Sequence, residues 1–364
     1  MPTVKNRPRT SRPRRLALFF DGTWNTPKSL TNVERLFQLT DSQFEWHARL
    51  GRNPEPVRDA ELRNAQQIKY YHPGVGTSWH ESVLGGMIGY GLSRNIKDGY
   101  HWLANHFQEQ DDIYLFGFSR GAYTARSLVG LIRKCGIPRI GSRALVDEAY
   151  FIYRNKAADP NGRESTAFRN TFSWPDAKVH FIGVWDTVGA LGIPGNRVFF
   201  SEDFYTWHDT QLSKIVKNAY HALALDEHRT NFAPTVWSID KGPKPGQKIE
   251  QRWFSGAHAD VGGGERRGQL HELSLAWIQE KARDCGLTFK KSVLPGEEIF
   301  LDNMHDSFGR FLMGLYKHLP GVFPYYRPFG LGVNESIDQS VLDRVHSPRG
   351  RDETGGSYHP PEIV

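Results

Sequence analysis

The strongest constraint on the fold is one junction. The apolar run Asp112-Ile-Tyr-Leu-Phe116 enters Gly117-Phe-Ser-Arg-Gly121, and from Ala122 to Lys134 apolar residues return at helical spacing. Strand, tight turn and helix follow without a linker. A serine on such a turn projects its hydroxyl past the sheet edge, and the glycines remove side chains that would clash there. Glycine makes up 36 of the 364 residues, so the bare Gly-x-Ser-x-Gly pattern is weak. Its placement carries the argument: a buried strand precedes it, and the small residues Gly121, Ala122 and Ala125 let the helix pack closely.

The rest of the chain repeats the alternation. Leu16-Ala-Leu-Phe-Phe20 ends in the polar turn Asp21-Gly-Thr-Trp-Asn25 and reads as a first buried strand. Gln67 to Tyr71, Val179 to Trp185 and Ile249 to Phe254 read as further strands. Helical periodicity covers Asn95 to Phe107, Leu145 to Asn155, Lys217 to Arg229 and Leu270 to Cys285. The Gly-rich stretch up to Gly91 predicts no rigid helix. Residues 41–66, polar with two prolines, read as a surface insertion. Together these elements predict an α/β fold of the α/β-hydrolase type, a mainly parallel sheet with helices on both faces. The hydrolase domain is expected over 16–290, after a basic disordered arm at 1–15 and before an irregular C-terminal extension, 291–364, packed on the domain. Phe199, Phe200, Phe204, Tyr205 and Trp207 make 190–210 readable either as a lid or as an irregular loop with its own cluster.

Composition removes several classes of function. Lys and Arg number 46 against 40 acids, but removing the six cations of the first fifteen residues leaves 40 against 40. The body therefore lacks the charge footprint of a nucleic-acid binder. Two cysteines, Cys135 and Cys285, support neither a disulfide framework nor a Cys-based zinc site and fit a reducing compartment. No apolar run reaches the ~18–20 residues that span a bilayer, and the basic N-terminus lacks the apolar core of a signal peptide. A cytoplasmic location is expected, with secretion independent of a signal peptide as the alternative.

A serine hydroxyl needs an imidazole to take its proton and a carboxylate to fix that imidazole's tautomer. In the hydrolase order the acid and then the histidine follow the serine. Asp186 closes the next clear strand, and His258 lies in a Gly-bounded loop after a later one. His305 competes as the base, and His72 could serve only against the expected order. Asp260 reads as a loop-structuring carboxylate or as an orienter of His258. The oxyanion donors are expected from the backbone of Arg120 and of Gly22 or Thr23, in a turn fixed by Asp21. Gly262 to Gly264 reads as a hinge beside His258, and Asp226 to Arg229 as a solvated or salt-bridged terminus. No cofactor or metal is called for. Two other readings remain: a metal-dependent phosphoesterase using Asp21, His258 and Asp260, and a non-catalytic module holding a lipid or a protein partner.

Four motifs in order carry a family resemblance: Leu18-Phe-Phe-Asp-Gly-Thr-Trp-Asn25, Gly117-Phe-Ser-Arg-Gly-Ala122, Val184-Trp-Asp-Thr-Val-Gly189 and Gly256-Ala-His-Ala-Asp-Val-Gly-Gly-Gly264. With fainter echoes at His305-Asp-Ser307 and Glu335-Ser-Ile337, the chain resembles the Tle1-like α/β-hydrolase family over about residues 15–290. That family includes phospholipase effectors of type VI secretion. The resemblance implies a triad of Ser119, Asp186 and His258 and cleavage of carboxylic esters, with lipid or phospholipid esters as substrates and peripheral contact with a membrane. A secreted effector and a housekeeping esterase are both compatible with it.

Overall fold

A computed structural model describes residues 13–22, 29–48, 59–74, 86–188, 211–238, 243–264, 268–318 and 321–361. The strands are β1 (Arg15–Phe20), β2 (Phe44–His47), β3 (Gln67–His72), β4 (Asp112–Phe118), β5 (Ile137–Pro138), β6 (Ser173–Trp174), β7 (Val179–Trp185), β8 (Val216–Ala224), β9 (Lys248–Phe254) and β10 (Glu335–Ile337). β5 and β6 form a small antiparallel pair. The other eight form one parallel sheet in the order β10-β9-β8-β7-β4-β1-β3-β2.

On one side of β1 the chain runs first to the edge strand β2 and then back to β3, beside β1; on the other it builds outward from β4 through β7, β8 and β9 to β10. The order therefore reverses between β1 and β4. Connections leave the strand ends in opposite directions at such a point, which opens a crevice at the C-terminal edge of the sheet. β1 delivers Asp21 to that edge and β4 delivers Ser119.

The two faces of the sheet follow from the period-two alternation of each strand. The first five helices are α1 (Asn32–Leu39), α2 (Asp59–Asn64), α3 (Gly86–His106), α4 (Arg120–Cys135) and α5 (Arg143–Arg154). Leu16, Leu18, Phe20 and Leu115 pack on one side of the sheet, beneath α3, α4 and α5. Ala17, Phe19, Phe116 and Phe181 pack on the other, beneath Asn32–Leu39 and His271–Asp284. Among the described residues no helix is long and apolar enough to cross a membrane.

Five expectations about the fold are corrected. The segment read as a helix from Lys217 to Arg229 is strand β8 over Val216–Ala224. A parallel strand covered on both faces loses its polar alternation, so Ala219, Tyr220, Ala222 and Leu223 imitate helical spacing. Helix α3 begins at Gly86, inside the Gly-rich stretch; buried Leu92, Ile96, Tyr100 and Leu103 outweigh a cost of about 1 kcal/mol per glycine. Within 41–66, Phe44–His47 joins β3 as an edge strand. Arg14, assigned above to the arm, is buried and pairs with Asp111 at 2.5 Å. The C-terminal extension is also less irregular than expected, since it adds β10 to the sheet and carries helix Gln339–His346. The lid reading of 190–210 lies outside the described residues.

Candidate active site

Ser119 occupies the turn between β4 and α4 in a left-handed conformation, with φ 57° and ψ −122°. A non-glycine residue is held there only by its surroundings. Its N–H donates to the Trp185 carbonyl (3.0 Å), which ties the turn to the end of β7. Both flanking glycines are required by close approach. A Cβ on Gly117 would lie 2.5 Å from the Gly121 carbonyl oxygen, and one on Gly121 would overlap the Phe20 carbonyl oxygen at the end of β1.

Asp186 follows β7 immediately, is fully buried and has φ 36°. Its N–H donates to Ala222 O (2.7 Å), and its Oδ1 accepts from the Ala224 N–H (3.1 Å), so β8 fixes the turn. His258 follows β9 at the start of a short helix, His258–Gly262. The two meet at 2.5 Å between His258 Nδ1 and Asp186 Oδ2. An ionised carboxylate only accepts, so Nδ1 carries the shared proton and Nε2 presents its lone pair. The imidazole packs on Phe118, ring centroids 4.5 Å apart, and on Phe232 at 5.1 Å.

Charge and burial act in opposite directions on this pair. Burial raises the Asp186 carboxyl, but the adjacent Arg327 guanidinium and the bond from His258 outweigh it and hold the group well below the usual carboxylate range. Burial lowers His258 and wins over the opposing pull of Asp186 and Glu227. The His258 imidazole is thus neutral at physiological pH.

Asp260 accepts from the Ala257 N–H (3.0 Å) and binds His305 twice, through its N–H (3.0 Å) and Nδ1 (2.5 Å). That pair is separate from Asp186. His72 Nε2 faces Asp98 at 3.5 Å. Asp21 is buried and accepts from Thr31, Tyr71 and the Gly22 N–H, each at 2.7 Å, so in this structure the Gly22 donor is taken up by its neighbour. Arg120 opens α4, and Thr23 lies outside the described residues. Gly262, read above as part of a hinge, is packed where a Cβ would overlap the Phe118 ring. Among the described residues no group of three or more His, Cys, Asp or Glu side chains is placed to hold a metal ion.

Three side chains beside the pair carry no site role in the sequence reading. Glu227 is buried and accepts from the His258 N–H (3.2 Å), from Arg229 and from Ser307. Asp226 is buried and joins the loops after β8 and β9 by accepting from the Gly256 N–H at 2.6 Å. Both were assigned to a helix end; reading β8 as a strand would have brought them to the same sheet edge as His258. Arg327 sits in Phe323-Pro-Tyr-Tyr-Arg-Pro-Phe329 with no motif spacing around it, and nothing local announces its contact with Asp186.

The family described as type VI secretion system phospholipase effector Tle1-like, catalytic domain, matches residues 14–281. The chain belongs to this family. An uncharacterized Saccharomyces cerevisiae protein, YEL023C, is 31% identical over 242 residues, covering 60% of this chain and 32% of that protein. The solved Tle1 effector bound to the VgrG spike is 20% identical with a TM-score of 0.42, over 72% of this chain and 53% of that one. A thermophilic esterase of Thermogutta terrifontis is 13% identical with a TM-score of 0.37, over 77% and 86%. The Tle1-like chain thus spans about a third of the length of its curated relative and about half of the effector structure.

Proposed function

We propose that this Tle1-like chain is a serine hydrolase of carboxylic esters, acting on lipid or phospholipid acyl groups. The observation that carries the reading is the buried Asp186–His258 pair at 2.5 Å, on the same sheet edge as a serine held in a left-handed turn. Membership of a phospholipase-effector family supports the substrate class.

In this reading the Ser119 oxygen attacks the acyl carbonyl while its proton passes to His258 Nε2. Asp186 stabilises the resulting imidazolium without taking its proton. The Arg120 N–H receives the developing oxyanion, and, since the Gly22 N–H is bonded to Asp21, Thr23 is the candidate for the second donor. Collapse expels the alcohol, which takes the proton from His258 and leaves the acyl group on Ser119. Water then attacks the acyl ester, with His258 taking its proton and returning one to Ser119, and the carboxylic acid is released. Asp260 orients His305 and the loop, outside the proton path.

A fluorophosphonate probe tests the reading, because it reacts with an activated serine beside an oxyanion site. One adduct, read by intact mass and absent from Ser119→Ala, is expected. Unlabelled protein should release fatty acid from a diacyl phospholipid and none from its diether analogue, and labelling should abolish that release. Folded native protein that takes no adduct and releases no acid from any ester would overturn it.

A further inference from the structure

Arg327 is fully buried and belongs to the C-terminal extension, outside the 14–281 span of the family match. Its two terminal nitrogens grip both oxygens of Asp186: Nη1 donates to Oδ1 (2.6 Å) and Nη2 to Oδ2 (3.0 Å). The same nitrogens donate to the carbonyls of Ala224 and Phe232, each at 2.6 Å. Ala224 ends β8, and the Phe232 ring lies against His258. One guanidinium therefore joins the carboxylate, the strand end beside it and the residue against which the imidazole leans. The segment is anchored nearby, where the Tyr325 N–H donates to the His228 carbonyl at 2.8 Å.

We propose that Arg327 is a positioning residue for the Asp186–His258 pair, orienting the carboxylate through its planar fork and lowering the proton affinity of the imidazole with its charge. The catalytic meaning rests on the hydrolase reading above; the electrostatic meaning does not. With Arg327 Nη1 and the Ala224 N–H on Oδ1, and Arg327 Nη2 and His258 on Oδ2, the carboxylate cannot rotate without losing bonds to a charged partner. A lysine has the charge without the fork.

The direction of the charge effect follows from counting. The pair carries one negative charge when His258 is neutral and none when it is protonated. A fixed cation alongside favours the negative form and so keeps His258 available as a base. Among the described residues, Glu227 and Arg229, from the loop after β8, also act on His258, in opposite directions. His221, within β8, accepts from the Thr187 N–H through Nε2 (3.1 Å) and is pushed down to about 3 by burial and Arg126. It stays neutral throughout the working range. Arg327 is thus the cation in direct contact with the carboxylate.

The test compares native protein with Arg327→Met and Arg327→Lys. Nuclear magnetic resonance reads the titration midpoint of His258, and a soluble p-nitrophenyl ester reads kcat and KM. Met should raise the midpoint by roughly one unit or more and lower kcat about 100-fold, with KM little changed. Lys should keep the native midpoint while kcat remains depressed. A Met variant that melts cooperatively yet has native midpoint and kcat overturns the proposal. If Met prevents folding, a Lys variant with native kcat at every pH overturns it equally. The two readings fail separately. A midpoint that moves in protein that never turns over ester supports the role of Arg327 and removes the hydrolase; native turnover with an unmoved midpoint and kcat does the reverse.

Discussion

His305 is held by Asp260, its Nδ1 2.5 Å from Oδ1 and its N–H 3.0 Å from Oδ2. The same carboxylate accepts from the Ala257 N–H, one residue before His258. Two histidine–aspartate pairs therefore lie side by side, and only His258 is bonded to the carboxylate that ends β7.

From this arrangement the two histidines should respond differently to truncation. His258→Ala should lower ester turnover by roughly 10⁴- to 10⁶-fold without unfolding the protein. His305→Ala should leave turnover at the same order of magnitude and reduce stability by about 1–3 kcal/mol, since buried Asp260 loses one donor. Steady-state turnover with denaturant melts on both variants checks this. A severe catalytic loss in His305→Ala with a mild one in His258→Ala would exchange their roles. Because burial lowers His258, native turnover should fall only on the acid side of an ordinary histidine titration.

The turn that carries Ser119 depends on close contact between β1 and α4. Gly121 meets the Phe20 carbonyl where a Cβ has no room, and the obstacle is backbone, which cannot swing aside. Gly121→Ala should therefore cost about 3 kcal/mol or more of stability and abolish fluorophosphonate labelling. Gly296→Ala, where a Cβ meets open space, is the matched control and should change neither. Urea denaturation of both variants reads the difference, and an unaltered Gly121→Ala midpoint would refute the steric account.

How far the sequence discloses this arrangement depends on the locality of each signal. The end of β4 is legible because strand, glycine turn and helix are contiguous. Asp186 and His258 are legible because each directly follows an apolar run. Strand β8 is hidden by burial on both faces, and with it go Asp226 and Glu227, whose side chains read as a solvent-facing terminus until the strand is recognised. Glycines 262 and 263 read as a hinge, yet they allow contact with Phe118 and Asn32, a tertiary requirement with no local mark. Arg327 is the limiting case. It lies 141 residues from Asp186 in sequence, and its role exists only once the extension folds back across the site.

Asp226 joins the loops after β8 and β9, and its ionisation should be visible in stability. Burial pushes its carboxyl up to about 6, despite bonds from the Gly256 N–H and the Tyr358 hydroxyl. An ordinary unfolded aspartate titrates near 3.9. The folded state therefore holds this proton more tightly. Its contribution is fully present below about pH 4, and is lost as pH rises through 6. Over that window the group should account for a decline on the order of 3 kcal/mol. Asp226→Asn keeps an acceptor for Gly256 and Tyr358 but cannot ionise. Urea unfolding at intervals from pH 4 to 8 should show a shallower decline for the variant than for the native protein, with Asp21, also raised to about 6 by burial, supplying the slope that remains. Parallel curves for the two proteins would mean that Asp226 stays ionised in the fold.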